Sequence, residues 1–271
     1  MKQTSAGSLR TYTAEMLHEL IDFRELLIRM TIRDLTLRYK QSVMGFGWAI
    51  CMPLLNTLLF SVVFTRIAPV QTPVPYPLFA YLGLTAWNLT ASALRFSTLS
   101  LTSNSSLVTK IHFPREIFPF SSVLVALVDA GVASVVLAGM MVYYGIGIGA
   151  SVLMLPLIVA VQVLFTAAAA LLLAMGNLFY RDVKYIFEVV VTVWMFASAV
   201  VYPLDNVGGG IGAILRLNPM THIIEAYRAV LFQGQIPDPT VFAMTAIGSL
   251  LLLVGSWVLF HTSEYKFAEN I

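Results

Sequence analysis

The stretch SNSSLVTKIHFPREIFPF, Ser103–Phe120, decides how the rest of the chain is arranged. It joins two long apolar runs, yet Lys110, His112, Arg115 and Glu116 fall within seven positions of it. A charge at the bilayer centre costs at least about 2.5 kcal/mol. A short charged loop between two membrane-crossing helices is therefore expected to lie outside the lipid. The alternative is a connector whose basic residues only fix the orientation of the chain.

The composition is that of a membrane protein. Of 271 residues, 58% are hydrophobic and 11% are charged, which is too apolar for an ordinary soluble domain. The net charge of +2 does not indicate a nucleic acid partner, because the placement of cations matters more in a membrane protein than their sum. The single cysteine, Cys51, excludes an internal disulfide. The first forty residues are polar and basic, so no cleavable signal peptide is expected.

Six apolar runs are long enough to cross a membrane as helices. About 20 apolar residues span the hydrocarbon core, and prolines, glycines or charges separate these runs. The sequence therefore predicts an all-α polytopic membrane protein with an N-terminal segment at 1–41, a transmembrane domain at 42–262 and a tail at 263–271. The predicted spans are residues 45–65, 78–101, 117–143, 151–175, 185–202 and 240–260.

The lysines and arginines predict which side of the membrane each loop occupies. Twelve of the sixteen fall before Gly45, in the loops after the second and fourth spans, or in the tail. Cytoplasmic loops carry an excess of these residues. Both termini and the Ser103–Phe120 loop are therefore expected in the cytoplasm.

An amphipathic segment precedes the first span. Ile21–Lys40 holds Phe23, Leu27, Met30 and Leu37 on one helical stripe, together with eight charges that exclude a membrane span. This pattern predicts a helix that lies in the membrane interface. Such a helix serves either as a gate beside the transmembrane domain or as a plain anchor.

The segment between the fifth and sixth spans, residues 203–239, is too long for a plain turn and too interrupted to span. After Pro219 its apolar residues recur at helical spacing. We therefore expect short external helices, either re-entering the membrane near a channel exit or lying at the interface without a gating role.

The sequence carries no motif for ATP binding or for catalysis. A phosphate-binding loop of the form G-x-x-x-x-G-K-[ST] is absent. The four histidines are scattered and lack the spacing of metal ligands. The histidines concerned are His18, His112, His222 and His261. An enzyme is therefore not expected. The alternatives from other classes are an intramembrane glycolipid-modifying enzyme and a passive channel.

Three charged residues fall inside predicted spans, namely Arg95, Asp129 and Glu188. They lie on different helices, and an acid with an arginine is more simply a structural ion pair than a catalytic set. We predict a buried ion pair between Arg95 and Asp129.

Three local patterns, together with the order of the spans, resemble one membrane-protein family. They are VTKIHFPREIFP at Val108–Pro119, NLFYRDV at Asn177–Val183 and LNPMTHIIEAYR at Leu217–Arg228. These patterns resemble the type-2 ABC permeases that export O-antigen and teichoic-acid polymers. The resemblance covers nearly the whole chain.

This resemblance implies a homodimer in the bacterial inner membrane that binds two ATPase subunits. The ATPase subunits would hold ATP and Mg, and no cofactor is expected in this chain. The substrate would be an undecaprenyl-linked polysaccharide, pushed outward as ATP is hydrolysed. A related permease for drug or lipid export is the alternative within the class.

The resemblance also implies roles for particular residues. The charged loop would dock on the ATPase, the amphipathic helix would act as a gate, and the external helices would form an exit gate. The residues concerned are Thr109, Lys110, His112, Phe113, Pro114, Arg115 and Glu116 in the loop; Arg29, Arg33, Arg38, Tyr39 and Lys40 in the gate helix; and Asn218, Pro219, Glu225, Tyr227 and Arg228 in the exit gate.

One stripe of the fifth span is a candidate channel lining between two protomers, because aromatic rings offer sugars weak, repeated contacts. The alternative is a belt at the membrane interface or bulk facing lipid. The stripe holds Phe187, Val191, Trp194, Ser198 and Tyr202 at helical spacing, and the first span adds Phe46 and Trp48.

Overall fold

The computed structural model describes residues 18–40, 42–110, 113–147 and 149–267. No strand occurs among these residues, so the predicted all-α class is confirmed. In chain order the helices are α1 (Arg24–Tyr39), α2 (Gly47–Val62), α3 (Tyr76–Ser103), α4 (Ser105–Lys110), α5 (Ile117–Tyr143), α6 (Leu155–Phe179), α7 (Val183–Phe196), α8 (Gly209–Arg216), α9 (Pro219–Arg228) and α10 (Pro239–Ser263).

Four helical segments of the described chain are long and apolar enough to cross a membrane. They coincide with the predicted first, third, fourth and sixth spans, and include the short turns that extend α2, α6 and α10. The four segments are Gly47–Ile67, Ile117–Tyr143, Ala150–Phe179 and Pro239–Lys266.

The helices at the other two predicted spans are less apolar or shorter. α3 has 28 residues, but its hydroxyl side chains and Arg95 lower its hydropathy. α7 has 14 residues, which at about 1.5 Å per residue is roughly 21 Å against a hydrocarbon core of about 30 Å. Length and composition therefore support four spans, and the other two stay a prediction.

α3 is the central helix of the bundle. It packs against α5 and α6 and also contacts α2, α7 and α9. Leu78, Tyr81 and Leu94 on it are fully buried. Tyr81 donates a hydrogen bond to the carbonyl of Ala133 on α5 at 3.0 Å, which satisfies its hydroxyl in the apolar core.

The helix at the predicted fifth span ends early. α7 stops at Phe196, whereas the sequence predicted a helix to Tyr202. Ala199 has φ 51°, a left-handed conformation that no helix interior adopts. The irregular residues 198–201 are nevertheless buried.

The amphipathic segment forms α1, which packs along the first half of α5. Met30 is buried, as its place on the apolar stripe predicts. Leu37, on the same predicted stripe, is 69% exposed within the protomer. The last turn of α1 contacts α5 through polar side chains instead.

Candidate functional site

A groove of about 500 Å³ lies between the end of α1 and helices α2, α3 and α5. One part of its wall is apolar, formed by α2 and by small residues of α5. The other part is polar, formed by amides, a hydroxyl and charged groups. Its polar lining includes Asn56, Asn88, Ser92, Arg95 and Asp129, and Trp48 faces it from α2.

The floor of the groove is a polar contact between α1 and α5. Arg38 forms an ion pair with Asp129, and both side chains are 17% exposed. The hydroxyl of Tyr39 donates to the same carboxylate at 2.6 Å. Burial, reinforced by this hydrogen bond, raises the pKa of Tyr39 to about 12. Tyr39 therefore keeps its proton and remains a donor at neutral pH.

Aromatic rings support this contact. The guanidinium of Arg38 lies 3.8 Å from the ring centroid of Phe96 on α3, close enough for a cation–π interaction. The rings of Tyr39 and Phe46 are 4.4 Å apart. The end of α1 is thus held against α3 and α5.

The predicted ion pair between Arg95 and Asp129 is wrong, although both residues line the groove. Asp129 pairs with Arg38. Arg95 instead contacts Glu188 on α7 at 3.2 Å, with both side chains about half exposed. Arg38 lies outside the predicted spans and was therefore not recognised from the sequence as the partner of Asp129.

The predicted channel-lining stripe of α7 faces the interior of the protomer. Phe187 is 5% exposed and Ser198 is fully buried. Trp194 packs edge-on against Trp87 at 5.5 Å and Phe165 at 6.0 Å. This stripe is therefore internal packing, which corrects its assignment as a surface between protomers.

The other predicted lining residues lie elsewhere. The hydroxyl of Tyr202 donates to the carbonyl of Phe196, which helps to close the end of α7. Phe46 is 48% exposed and Trp48 is 42% exposed. Of the two, Trp48 lines the groove.

The remaining gate-helix residues lie outside the groove lining. Arg29 pairs with Glu25 at 2.6 Å on the exposed face of α1. Arg33 pairs with Asp34 at 2.7 Å, and Lys40 is exposed beyond the helix end. Of the predicted gate residues, Arg38 and Tyr39 are the two that line the groove.

At the predicted cytoplasmic end, the charged loop is tied to the end of α10. Arg115 contacts Glu264 at 2.9 Å and also donates to the carbonyl of Val108 at 3.2 Å. Glu116, which is 2% exposed, accepts a hydrogen bond from Nδ1 of His261 at 3.0 Å. The loop is thus fixed to the last span.

These contacts differ from what the sequence predicted for the loop. Phe113 is buried, and the two charges expected to face a partner point inward instead. Thr109 is exposed, and Pro114 is half-buried. The side chain of Lys110 and all of His112 lie outside the described residues. His261 and Glu264 were missed, because about 150 residues separate them from the loop in sequence.

At the opposite end, Arg228 holds the irregular segment after α7. It is 2% exposed and donates to the carbonyls of Ala199 at 3.0 Å and Val200 at 2.7 Å. It also pairs with Glu225 at 2.6 Å. Buried carbonyls without a hydrogen-bond partner are costly, so this arginine replaces the helical hydrogen bonds that α7 loses.

Asn218 completes the same contact. Its amide donates to the carbonyl of Ala197 and to the hydroxyl of Ser198, both at 2.8 Å. Its oxygen caps α9 at the amide of Met220, 3.1 Å away, and accepts from the indole of Trp194 at 3.2 Å. One side chain thus joins the end of α7 to the start of α9.

The structure brings the predicted exit-gate residues together on and before α9. Tyr227 donates to the side chain of Gln162 at 2.8 Å, which anchors α9 on α6. Pro219 occupies the first turn of α9. The sequence located this cluster but not its partners, which are backbone groups of another segment.

Comparisons with known proteins fit this architecture. The sequence profile of the ABC-2 type transporter family matches residues 25–232. The chain is 29% identical over 258 residues to the O-antigen export system permease protein RfbA of Myxococcus xanthus, covering 94% of this chain and 99% of the relative. It is 29% identical over 246 residues to RfbA of Klebsiella pneumoniae, covering 90% and 94%. It is 20% identical over 239 residues to the polysialic acid transport protein KpsM of Escherichia coli, covering 86% and 91%.

Proposed function

Since the chain belongs to the ABC-2 type transporter family, we propose that it is the membrane permease of an ATP-driven exporter of polysaccharide. Similarity over nearly the full length of O-antigen export permeases carries this proposal. A polysialic acid transport protein is also similar, so the shared substrate class is a polysaccharide. The chain itself is a transport subunit, and a separate ATPase supplies the energy.

The groove between α1, α2, α3 and α5 supports this assignment. A sugar presents an apolar ring face and a rim of hydroxyl groups. Trp48 offers an aromatic face, while Asn88 and Ser92 offer hydrogen-bonding groups that are weak enough to release a moving chain. A lipid-linked sugar entering from the side of α2 would meet these groups first.

We propose that α3 and α7 also cross the membrane, which gives six spans with both termini in the cytoplasm. The break after α7 would then lie near the outer surface, where α8 and α9 re-enter. Arg228 and Asn218 support this placement, because they satisfy backbone groups that lipid cannot. The excess of Lys and Arg on the opposite loops supports the orientation.

We further propose that two copies form the pore and that each copy binds one ATPase, which holds ATP and Mg. The charged loop would contact the ATPase through its exposed surface, including Ser106 and Thr109. Arg115 and Glu116 would transmit movement to α10 rather than touch the ATPase. The substrate would be an undecaprenyl-linked polysaccharide, and the membrane the bacterial inner membrane.

The test is complementation of a deletion strain, with surface polysaccharide measured by sugar analysis and the ATPase measured by copurification. Ser92→Leu fills the groove and should reduce surface polysaccharide severalfold at unchanged expression and unchanged ATPase copurification. Ser134→Leu, on the exposed side of α5, is the matched control and should export normally.

Two results would contradict the proposal. One is normal surface polysaccharide in the deletion strain with no other change in export. The other is normal surface polysaccharide together with loss of drug resistance or of lipid export, which would favour the alternative permease classes.

A further inference from the structure

A second, smaller pocket of about 250 Å³ lies where the ends of α3 and α6 meet the start of α7. It is separate from the groove and shares no lining residue with it. Its polar lining is Thr102, Ser105, Asn177, Arg181 and Lys184, with Leu99 and Leu178 as its apolar part.

The pocket is electropositive. Arg181 is exposed and Lys184 is half-buried. Among the described residues, neither forms an ion pair with a carboxylate. The ammonium of Lys184 lies 4.7 Å from the ring centroid of Tyr185. Asp182 stands between the two cations in sequence, is exposed, and does not line the pocket.

The start of α7 adds to this charge. Arg181 lies two residues before this 14-residue helix, and Lys184 lies in its first turn. The side chain of Asp182, at the capping position, does not cap the helix. The backbone N–H groups of Val183 and Tyr185 already donate to the carbonyls of Tyr180 and Asp182, so the helix start contributes its dipole to this edge of the pocket rather than a set of free N–H groups.

A buried amide without a partner faces the same pocket. Asn177 is 2% exposed, and its side-chain oxygen has no hydrogen-bond partner among the described residues. Such a group costs about 1–3 kcal/mol when left unsatisfied. The amide can present either its oxygen or its NH₂ group to the pocket, since the two are interchanged by a flip of the side chain.

The hydroxyl groups complete the set. Thr102 donates its proton to the carbonyl of Leu99 at 3.1 Å, so it has no hydroxyl proton left for an anion. Ser105 lines the pocket from the start of α4. Two cations, a helix start, an amide and a hydroxyl are the groups that bind phosphate oxygens.

We propose that this pocket binds a phosphate group at the membrane surface, carried by a lipid headgroup or by a soluble phosphate. Leu99, an exposed residue of the pocket lining, offers an apolar contact for the tails of a lipid. The pocket takes a tetrahedral anion with room for one ester substituent. It is not required by the proposed export function, which uses the other groove.

The test uses the full-length protein in detergent and counts bound adducts by native mass spectrometry. The probes are phosphatidylglycerol, diacylglycerol with the same tails but no phosphate, and inorganic pyrophosphate. The double variant R181Q/K184Q should lower binding of the phosphate probe at least about tenfold, because it removes two charge-assisted contacts. R216Q, an exposed cation on α8, is the control and should bind as the unmodified protein does.

The probes separate the sources. Binding of phosphatidylglycerol alone assigns a lipid headgroup, and binding of pyrophosphate as well assigns a pocket open to soluble phosphate. Equal binding of phosphatidylglycerol and diacylglycerol, or unchanged binding in R181Q/K184Q, overturns the proposal. Loss of ATPase copurification in R181Q/K184Q at unchanged phosphate binding also overturns it, since the pocket would then be a protein contact.

Discussion

Gly83 on α3 shows how a single residue permits the break after α7. A Cβ atom added at Gly83 would lie 2.2 Å from the carbonyl oxygen of Val200 and 3.1 Å from the guanidinium of Arg228. The carbonyl of Val200 could not then stay at its hydrogen-bonding distance from Arg228. The glycine allows the irregular segment to approach α3 closely enough for Arg228 to reach it.

Gly83→Ala should therefore lower the free energy of unfolding by about 1–3 kcal/mol, because the new methyl group forces α3 and the irregular segment apart. Gly248→Ala on the exposed face of α10 meets no atom within 4 Å and should be neutral or stabilising by about 0.5–1 kcal/mol. Thermal unfolding in detergent, followed by tryptophan fluorescence, measures both. Equal transition temperatures for the two variants would show that the close approach is unimportant.

At the scale of elements, the polar contact that joins α1 to α5 defines the groove. Arg38 and Tyr39 lie on the last turn of α1, and both reach Asp129 at mid-helix on α5. A further hydrogen bond joins Asp34 and Ser121 at 2.8 Å, nearer the start of α5. These contacts set the position of α1 and therefore the width of the groove.

Arg38→Gln and Asp129→Asn should each destabilise the protein, because each single change leaves one half-buried charge unpaired. The double variant should lose less stability than the sum of the two single losses. The coupling energy is expected at about 0.5–3 kcal/mol. Chemical denaturation of the four proteins measures it. The control cycle pairs Arg95→Gln with Asp129→Asn and should be additive within about 0.5 kcal/mol. Coupling in the control cycle but not in the first would restore the pairing predicted from the sequence.

Sequence reasoning succeeded where local pattern decides the outcome. Long apolar runs predicted the helices at 47–67 and 117–143 correctly, because apolar length is a property of the segment itself. It failed where a distant group decides. Ser198 lies beyond the end of α7, so the predicted stripe is not one helical face, and Asn218 and α3 hold Trp194 and Ser198 in the interior. The early end of α7 likewise depends on Arg228, which replaces the lost helical hydrogen bonds.

At the scale of the whole molecule, the apolar spans are unequally packed. In the most apolar 18-residue stretch of Gly47–Ile67, 11% of the residues are buried within the protomer, against 56% in that of Ala150–Phe179. Asn56 is an exposed amide in the middle of this first span, and a polar side chain facing lipid there is costly. The groove and a second copy of the chain together would shelter this surface, which is the basis of the proposed dimer.

The dimer model predicts that α2 lies closer to its symmetry mate than α10 does. Spin labels are attached at Leu58→Cys on α2 or at Leu251→Cys on α10, each in a Cys51→Ser background, since Cys51 is the single native cysteine. Leu58 and Leu251 are both 66% exposed, so they form a matched pair. Pulsed dipolar spectroscopy of the protein in nanodiscs should give a shorter distance between the two labels at 58 than between the two at 251. The reason is that a two-fold interface brings the same surface of each copy together, and α2 is the span with the least cover of its own. A shorter distance at 251 would place α10 at the interface and leave α2 facing lipid. No dipolar signal at either site would argue for a protomer that works alone, and the groove would then have to carry the polymer within a single chain.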